Sequence, residues 1–192
     1  MVNLNLESER LIIKPLEEGD LDLAIELFTD SEVMEMAGTS AISISEVKEE
    51  MPLSVRRCAA GAIGVWSIVH RDRNEKVGSV FLLPMPIEKA DTDWGLVSGD
   101  QIPDCDIEIG YYVKKSAWGR GIATEACRRL LQFAFEETDL DEIVAVTDKE
   151  NRGSQKVLIK SGMSFVGPKR AYGTTYPGFS IQRAKWLSQR PQ

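Results

Sequence analysis

A chain of 192 residues with 43% hydrophobic and 28% charged side chains is long enough to bury a core without disulfide staples, and one domain over residues 1–192 is expected. Its net charge of −7 argues against nucleic acid as a partner, because phosphate backbones select a basic face, and suits a cationic acceptor such as an amine better. No apolar run approaches the ~20 residues that span a bilayer, and the first ten residues carry no apolar signal core, so no membrane partner and a cytoplasmic location are expected.

Residues 10–15 read as a short first strand stopped by Pro15. Asp20 is placed to cap a helix that buries Leu21, Ala24, Ile25 and Phe28 on one face. A second helix is expected over residues 45–59, where Val47, Met51, Val55 and Cys58 recur at near-helical spacing and Pro52 must kink or restart it. Residues 65–70 and 77–83 are β-branched runs on either side of Asp72-Arg73-Asn74, which predicts an antiparallel hairpin. His70, the single histidine, stands at the end of the first of these runs and reads as a strand-end residue rather than a base.

Residues 84–103 differ in kind, with three prolines, several aspartates, two glycines and Trp94, and a connection of that length is expected to border a binding site. Residues 106–113 then alternate strictly, setting Ile107, Ile109, Tyr111 and Val113 against Asp106, Glu108, Gly110 and Tyr112. From Ile122 onward Ala123, Ala126, Cys127, Leu130, Leu131, Ala134 and Phe135 keep helical spacing, with Glu125 in the first turn where the helix dipole favours it. A strand over 143–147, a helix opened by Asn151 and running to 159, Gly162 just past its end, and a last strand over 179–186 complete the pattern. Cys58, Cys105 and Cys127 are far apart and form no C-x-x-C unit, so free thiols and no metal site are expected.

Trp118-Gly119-Arg120-Gly121-Ile122-Ala123-Thr124-Glu125, between the strand 106–113 and the long helix, is the segment richest in chemistry. Two spaced glycines let the backbone turn sharply and approach a ligand, while the free N–H groups of the first helical turn point outward, which suits a phosphate. Arg120 adds a forked cation. A P-loop is excluded, because Ile122-Ala123 stand where Lys-Ser/Thr would be needed. A dinucleotide turn fits poorly, since Thr124 replaces its third glycine and five residues separate the glycines from the strand.

A coenzyme A site is the third reading, and here the sequence resembles a known family. Ile109-Gly110-Tyr111-Tyr112-Val113, the turn Trp118 to Ala126, and Asn151-x-x-Ser154-x-x-Val157-Leu158-x-Lys160-x-Gly162-Met163 look like the GNAT acetyltransferase superfamily. They are most similar to its ribosomal-protein alanine acetyltransferase (RimJ/RimL-like) subgroup, whose start is also matched over residues 8–15. The resemblance implies an α/β fold with a mixed, twisted sheet of six to seven strands flanked by helices, holding acetyl-CoA between two splayed parallel strands, here 106–113 and 143–147. Backbone around Tyr111, Tyr112 and Val113 would pair with the pantetheine. N–H groups across Trp118, Gly119, Arg120, Gly121, Ile122, Ala123 and Thr124 would hold the pyrophosphate, and Asn151 would meet the cofactor arm, a role that can coexist with a plain helix cap.

The chemistry implied is direct attack of a primary amine, on a small molecule or a protein N-terminus, on the thioester. It requires a base, oxyanion donors and an acid for the thiolate. Glu108, two residues before Gly110, is the candidate base, with Asp106 on the same face expected to raise its pKa by like-charge repulsion. Val146 and Leu158 stand where many members of the superfamily have a glutamate base and a tyrosine acid, so Ser154 is carried over as the thiol-side donor; the alternative is a helix serine bonding its own backbone. The missing groups also leave open a non-catalytic acyl-CoA-binding module or sensor. The acceptor is expected to enter between residues 84–103, with their aspartates, and Tyr172 and Tyr176 near the last strand. Acetyl-CoA and the amine are the partners this reading names, and it allows a homodimer.

Overall fold

A computed structural model describes residues 3–56, 61–97 and 101–189. Its eight strands form one sheet in the order β1-β2-β3-β4-β5-β6-β8-β7: β1 Leu6–Glu7, β2 Leu11–Pro15, β3 Gly64–His70, β4 Glu75–Pro84, β5 Ile107–Val113, β6 Glu142–Val146, β7 Ser164–Ala171 and β8 Thr174–Gln182. Every neighbouring pair is antiparallel except β5 and β6, which are parallel. A parallel pair needs a crossover, and α4 (Ile122–Glu137) supplies it. Whereas β4 and β5 stay in register from Gly78–Val113 to Pro84–Ile107, β5 and β6 register only at Glu108 and Val144. Beyond that pair the two strands splay, because β6 follows β8 instead, and Thr147 N–H donates to the Pro177 carbonyl. The edge of β5 facing β6 is left without a strand partner at Tyr111 and Val113, among the described residues, while Gly110 and Tyr112 face β4.

The period-2 alternation of β5 sends Ile107, Ile109 and Val113 into the main core beneath α4, where Ala126, Cys127, Leu130, Leu131 and Ala134 are fully buried. That apolar stripe anchors the helix whose N-terminus faces the gap, each buried leucine contributing roughly 1.5–3 kcal/mol. The opposite sheet face is covered by α1 (Leu21–Phe28), α2 (Ser31–Met36) and α3 (Ile44–Arg56), through small clusters around Leu16, Ala24, Val47 and Met51 and around Leu23, Leu27 and Val33.

Several expectations are corrected. The sheet gains two strands beyond the six located in the sequence: Leu6–Glu7 pairs with β2, and Ser164–Ala171, whose Gly167 and Pro168 mask its alternation, pairs along β8. Residues 183–186 belong to α6 (Arg183–Ser188) rather than to the last strand; Arg183 leaves the sheet to bind the Asp141 carboxylate and the carbonyls of Phe135, Thr138 and Leu140. Asp20 precedes α1 but does not cap it through its side chain, which is buried, receives the Glu17 N–H and pairs with Lys76 at 3.0 Å. α2 has no counterpart in the apolar pattern and is capped by Asp30. α3 runs through the exposed Pro52 without a break; Cys58 and Ala59, read as its end, lie outside the described residues. No helix among the described residues is long and apolar enough to cross a membrane.

Candidate active site

The glycine junction folds as its composition requires. After a 3-10 turn at Lys115–Ala117 the chain passes through Gly119 (φ 71°) and Gly121 (φ 79°), both in the left-handed region where side chains are strained, and enters α4 at Ile122. Gly121 is the N-cap and has no side chain to satisfy the helix, so the amides of Ile122, Ala123 and Thr124 have no partner among the described residues. Three outward donors at the positive end of a 16-residue helix fit an anionic group. Arg120 is exposed beside them, and the Trp118 indole donates to the Val113 carbonyl at 2.7 Å, tying the turn back to the open edge of β5.

Arg10, unassigned by the sequence pattern, holds this turn in shape. Its backbone N–H and guanidinium bind both oxygens of Glu125 at 2.7–2.8 Å, and its Nη1 donates to the Arg120 carbonyl at 3.0 Å. The Ser8 hydroxyl adds a third donor to Glu125 at 2.8 Å. Burial alone would raise the Glu125 carboxyl, but the Arg10 amide, Ser8 and the Arg10 guanidinium together hold it below the usual carboxylate range. Nothing local to Arg10 signals a partner 115 residues away.

On the far side of the gap, Asn151 is the N-cap of α5 (Arg152–Lys160), its Oδ1 accepting from Ser154 N–H at 2.9 Å. Its Nδ2 also donates to the Met36 carbonyl at 2.7 Å, bridging α5 to the end of α2. Ser154 does not bond its own backbone through its hydroxyl; the Oγ lies 2.8 Å from the Tyr111 hydroxyl. The pair joins β5 to α5 across the splay, and burial pushes the Tyr111 phenol well above its ordinary value. Tyr112, next along β5, projects to the other sheet face, against Phe28 (5.2 Å between ring centroids) and Phe81 (6.1 Å). Its side chain is therefore on the side opposite Tyr111, Ser154 and α4, and its backbone, paired with Ser79 of β4, faces away from the open edge, so the expected pantetheine partner at Tyr112 is corrected.

Glu108 sits where the strands part, 5% exposed, on the Tyr112 face of β5. Burial pushes its carboxyl up to about 7, opposed by a hydrogen bond from the Tyr172 hydroxyl (2.5 Å to Oε2) and one from the Val146 amide. The expected cause is corrected: Asp106 is exposed and pairs with Lys169 at 2.8 Å, so desolvation rather than like-charge repulsion lifts Glu108. Gly110, two residues on, is required by packing, since a Cβ there would lie 2.1 Å from Phe81 Cζ.

The connection after β4 borders this face. Thr92 is buried with its hydroxyl on the Pro84 carbonyl, and the charge of Asp91 reaches both Tyr112 and Tyr172. Among the aspartates expected to draw in a cation, Asp91 receives the Trp94 indole N–H at 2.7 Å, Asp93 pairs with Lys89 at 2.8 Å, Asp104 is exposed, and Asp100 lies outside the described residues. The hydroxyl of Tyr176 approaches Gly38, in the segment after α2, so the β7–β8 hairpin comes near the end of the first helices.

Comparison with known proteins agrees with this geometry. Residues 10–164 match the acetyltransferase (GNAT) domain family. The FsC-acetyl coenzyme A-N(2)-transacetylase of Aspergillus fumigatus is 28% identical over 97% of this chain and 80% of its own. The folds of AAC(6′)-Ib bound to paromomycin and acetyl-CoA (TM-score 0.75, 17% identity, 96% of this chain and 99% of that one) and of spermidine N-acetyltransferase from Vibrio cholerae with CoA and spermine (0.71, 17%, 94% and 99%) are similar.

Proposed function

The chain belongs to the GNAT acetyltransferase family and is an acetyl-CoA-dependent N-acetyltransferase; on that premise we propose that it acetylates a cationic primary amine using Glu108 as the base. The observation that carries the proposal is a carboxylate buried at the branch point of β5 and β6 and tuned to about 7, within the range where a base both accepts and releases a proton at neutral pH.

Acetyl-CoA would supply the thioester. The residues present suit it: unpartnered amides of Ile122, Ala123 and Thr124 with Arg120 for the pyrophosphate, the open edge of β5 at Tyr111 and Val113 for the pantetheine, and Asn151 and Ser154 across the gap. Glu108 takes the proton that the ammonium must lose to become a nucleophile. The Ser154 hydroxyl, 2.8 Å from that of Tyr111, would donate to the departing thiolate. Aromatic rings of Phe28, Phe81 and Tyr112 on the Glu108 face, together with the Asp91 charge, favour a cation in the acceptor position. Membership of the RimJ/RimL-like subgroup, suggested by the Asn151 to Met163 pattern, would extend the acceptor to an N-terminal alanine.

The test is thiol release from acetyl-CoA with a panel of spermidine, kanamycin and a peptide with N-terminal alanine. Turnover with at least one, reduced about 10- to 1,000-fold in Glu108→Gln with acetyl-CoA affinity kept, is expected. Equal turnover by the variant at pH 7 would reject Glu108 as the base.

A further inference from the structure

We infer that Tyr172, at the tip of the β7–β8 hairpin, is a positioning residue for Glu108. Ala171 pairs with Thr174, so Tyr172 and Gly173 form a two-residue turn, with φ 51° and 72°. Both central positions of such a turn need positive φ and are ordinarily Asn, Asp or Gly; a tyrosine there is rare. Strained residues persist where the surroundings over-determine them, and they cluster at functional sites.

The surroundings here do so. Tyr172 N–H donates to the Pro86 carbonyl at 3.0 Å and Gly173 N–H to that of Ile87 at 2.9 Å. Arg170 grips Glu88 with a two-point fork at 3.0 and 2.7 Å. These contacts stitch the hairpin tip to the segment after β4 and deliver the phenol to Glu108 Oε2. Buried Met85, Val144 and Ala171, with Val146 and Tyr176 beside them, surround Tyr172. Among the described residues the titratable and charged groups near this pair are Tyr112 on β5, Tyr176 on β8, Asp91 from the connection after β4, and Asp106 on the Glu108 face of β5, which is paired with Lys169.

In this setting the Tyr172 hydroxyl does two things. It pins one carboxylate oxygen, fixing how Glu108 faces the gap, and it stabilises the ionised form against burial, keeping the base usable near neutral pH. The inference rests on Glu108 being the base, and substrate-free titration separates the two.

The experiment follows the 13C side-chain carboxyl resonance of Glu108 against pH in the full chain, assigned by its loss in Glu108→Gln. In Tyr172→Phe the midpoint is expected to rise by about 1 pH unit. The acid limb of thiol release, measured with whichever panel amine turns over, is expected to move with it. Arg170→Ala, which loosens the tip while keeping the hydroxyl, is expected to shift the midpoint the same way by less, and it decides the matter if the phenylalanine variant does not fold. A midpoint unmoved in the folded variants overturns the inference whatever the activity. A midpoint that moves while the acid limb stays fixed overturns Glu108 as the base, and with it any catalytic part for Tyr172.

Discussion

Glu108→Gln is expected to stabilise the fold above pH 7 and to leave it nearly unchanged at pH 5. Burial lifts the carboxyl from 4.5 to about 7 in the native protein, whereas in the unfolded chain it titrates near ~4.3. Between these values the native state keeps the proton and the unfolded state has released it. The unfolded state then binds fewer protons, and stability falls as pH rises through the window. At about 1.4 kcal/mol per unit, the ionised carboxylate costs the fold about 3.5–4 kcal/mol once the pH is well above 7, a cost largely absent below about pH 4.5. Glutamine is neutral at every pH and still accepts from Tyr172, but its NH2 needs partners of its own, so the net gain at pH 8 is set at about 1–3 kcal/mol. For a chain of this size that is roughly 2–10 °C in Tm. Thermal unfolding of both proteins at pH 5, 6, 7 and 8 at constant ionic strength measures it. A difference in Tm that is the same at all four values, or a less stable variant at pH 8, would refute the reasoning that Glu108 is held by desolvation.

Acetyl-CoA is expected to raise Tm by binding the folded state, and Gly119→Val or Gly121→Val to abolish that shift by forcing a β-branched residue to a φ of 71° or 79°; a normal shift in both variants would misplace the anion site. Arg10→Ala should cost about 1 kcal/mol or less in stability, since Arg10 is partly exposed, but weaken acetyl-CoA binding about 3- to 10-fold by releasing Glu125 and the Arg120 carbonyl; unaltered affinity by calorimetry would mean the turn keeps its shape alone. Ser154→Ala is expected to lower kcat about 10-fold with little change in either KM, and steady-state kinetics showing no loss would leave its hydroxyl a structural partner of Tyr111.

Local rules were enough for much of this protein. The two glycines before an amphipathic run announced a turn with free amides, because only glycine reaches those φ values cheaply and a helix start always leaves donors unpaired. Asn151 read as a cap, Gly162 as a helix stop and residues 106–113 as a strand for equally short-range reasons. What lay beyond them depended on groups far apart in the chain. Glu108 could be read as a candidate base raised by Asp106, but burial by the hairpin and the segment after β4, not the adjacent charge, tunes it. Arg10 meets Glu125, and Tyr172 meets Glu108, across 115 and 64 residues. β7 was hidden by its Gly and Pro and formed on β8, while residues 183–186 had strand-like content but turned into a helix when Arg183 found carbonyls to hold. Periodicity and backbone sterics act within a few residues and can be read along the chain; desolvation and the matching of donors to acceptors exist only once distant segments close around a group.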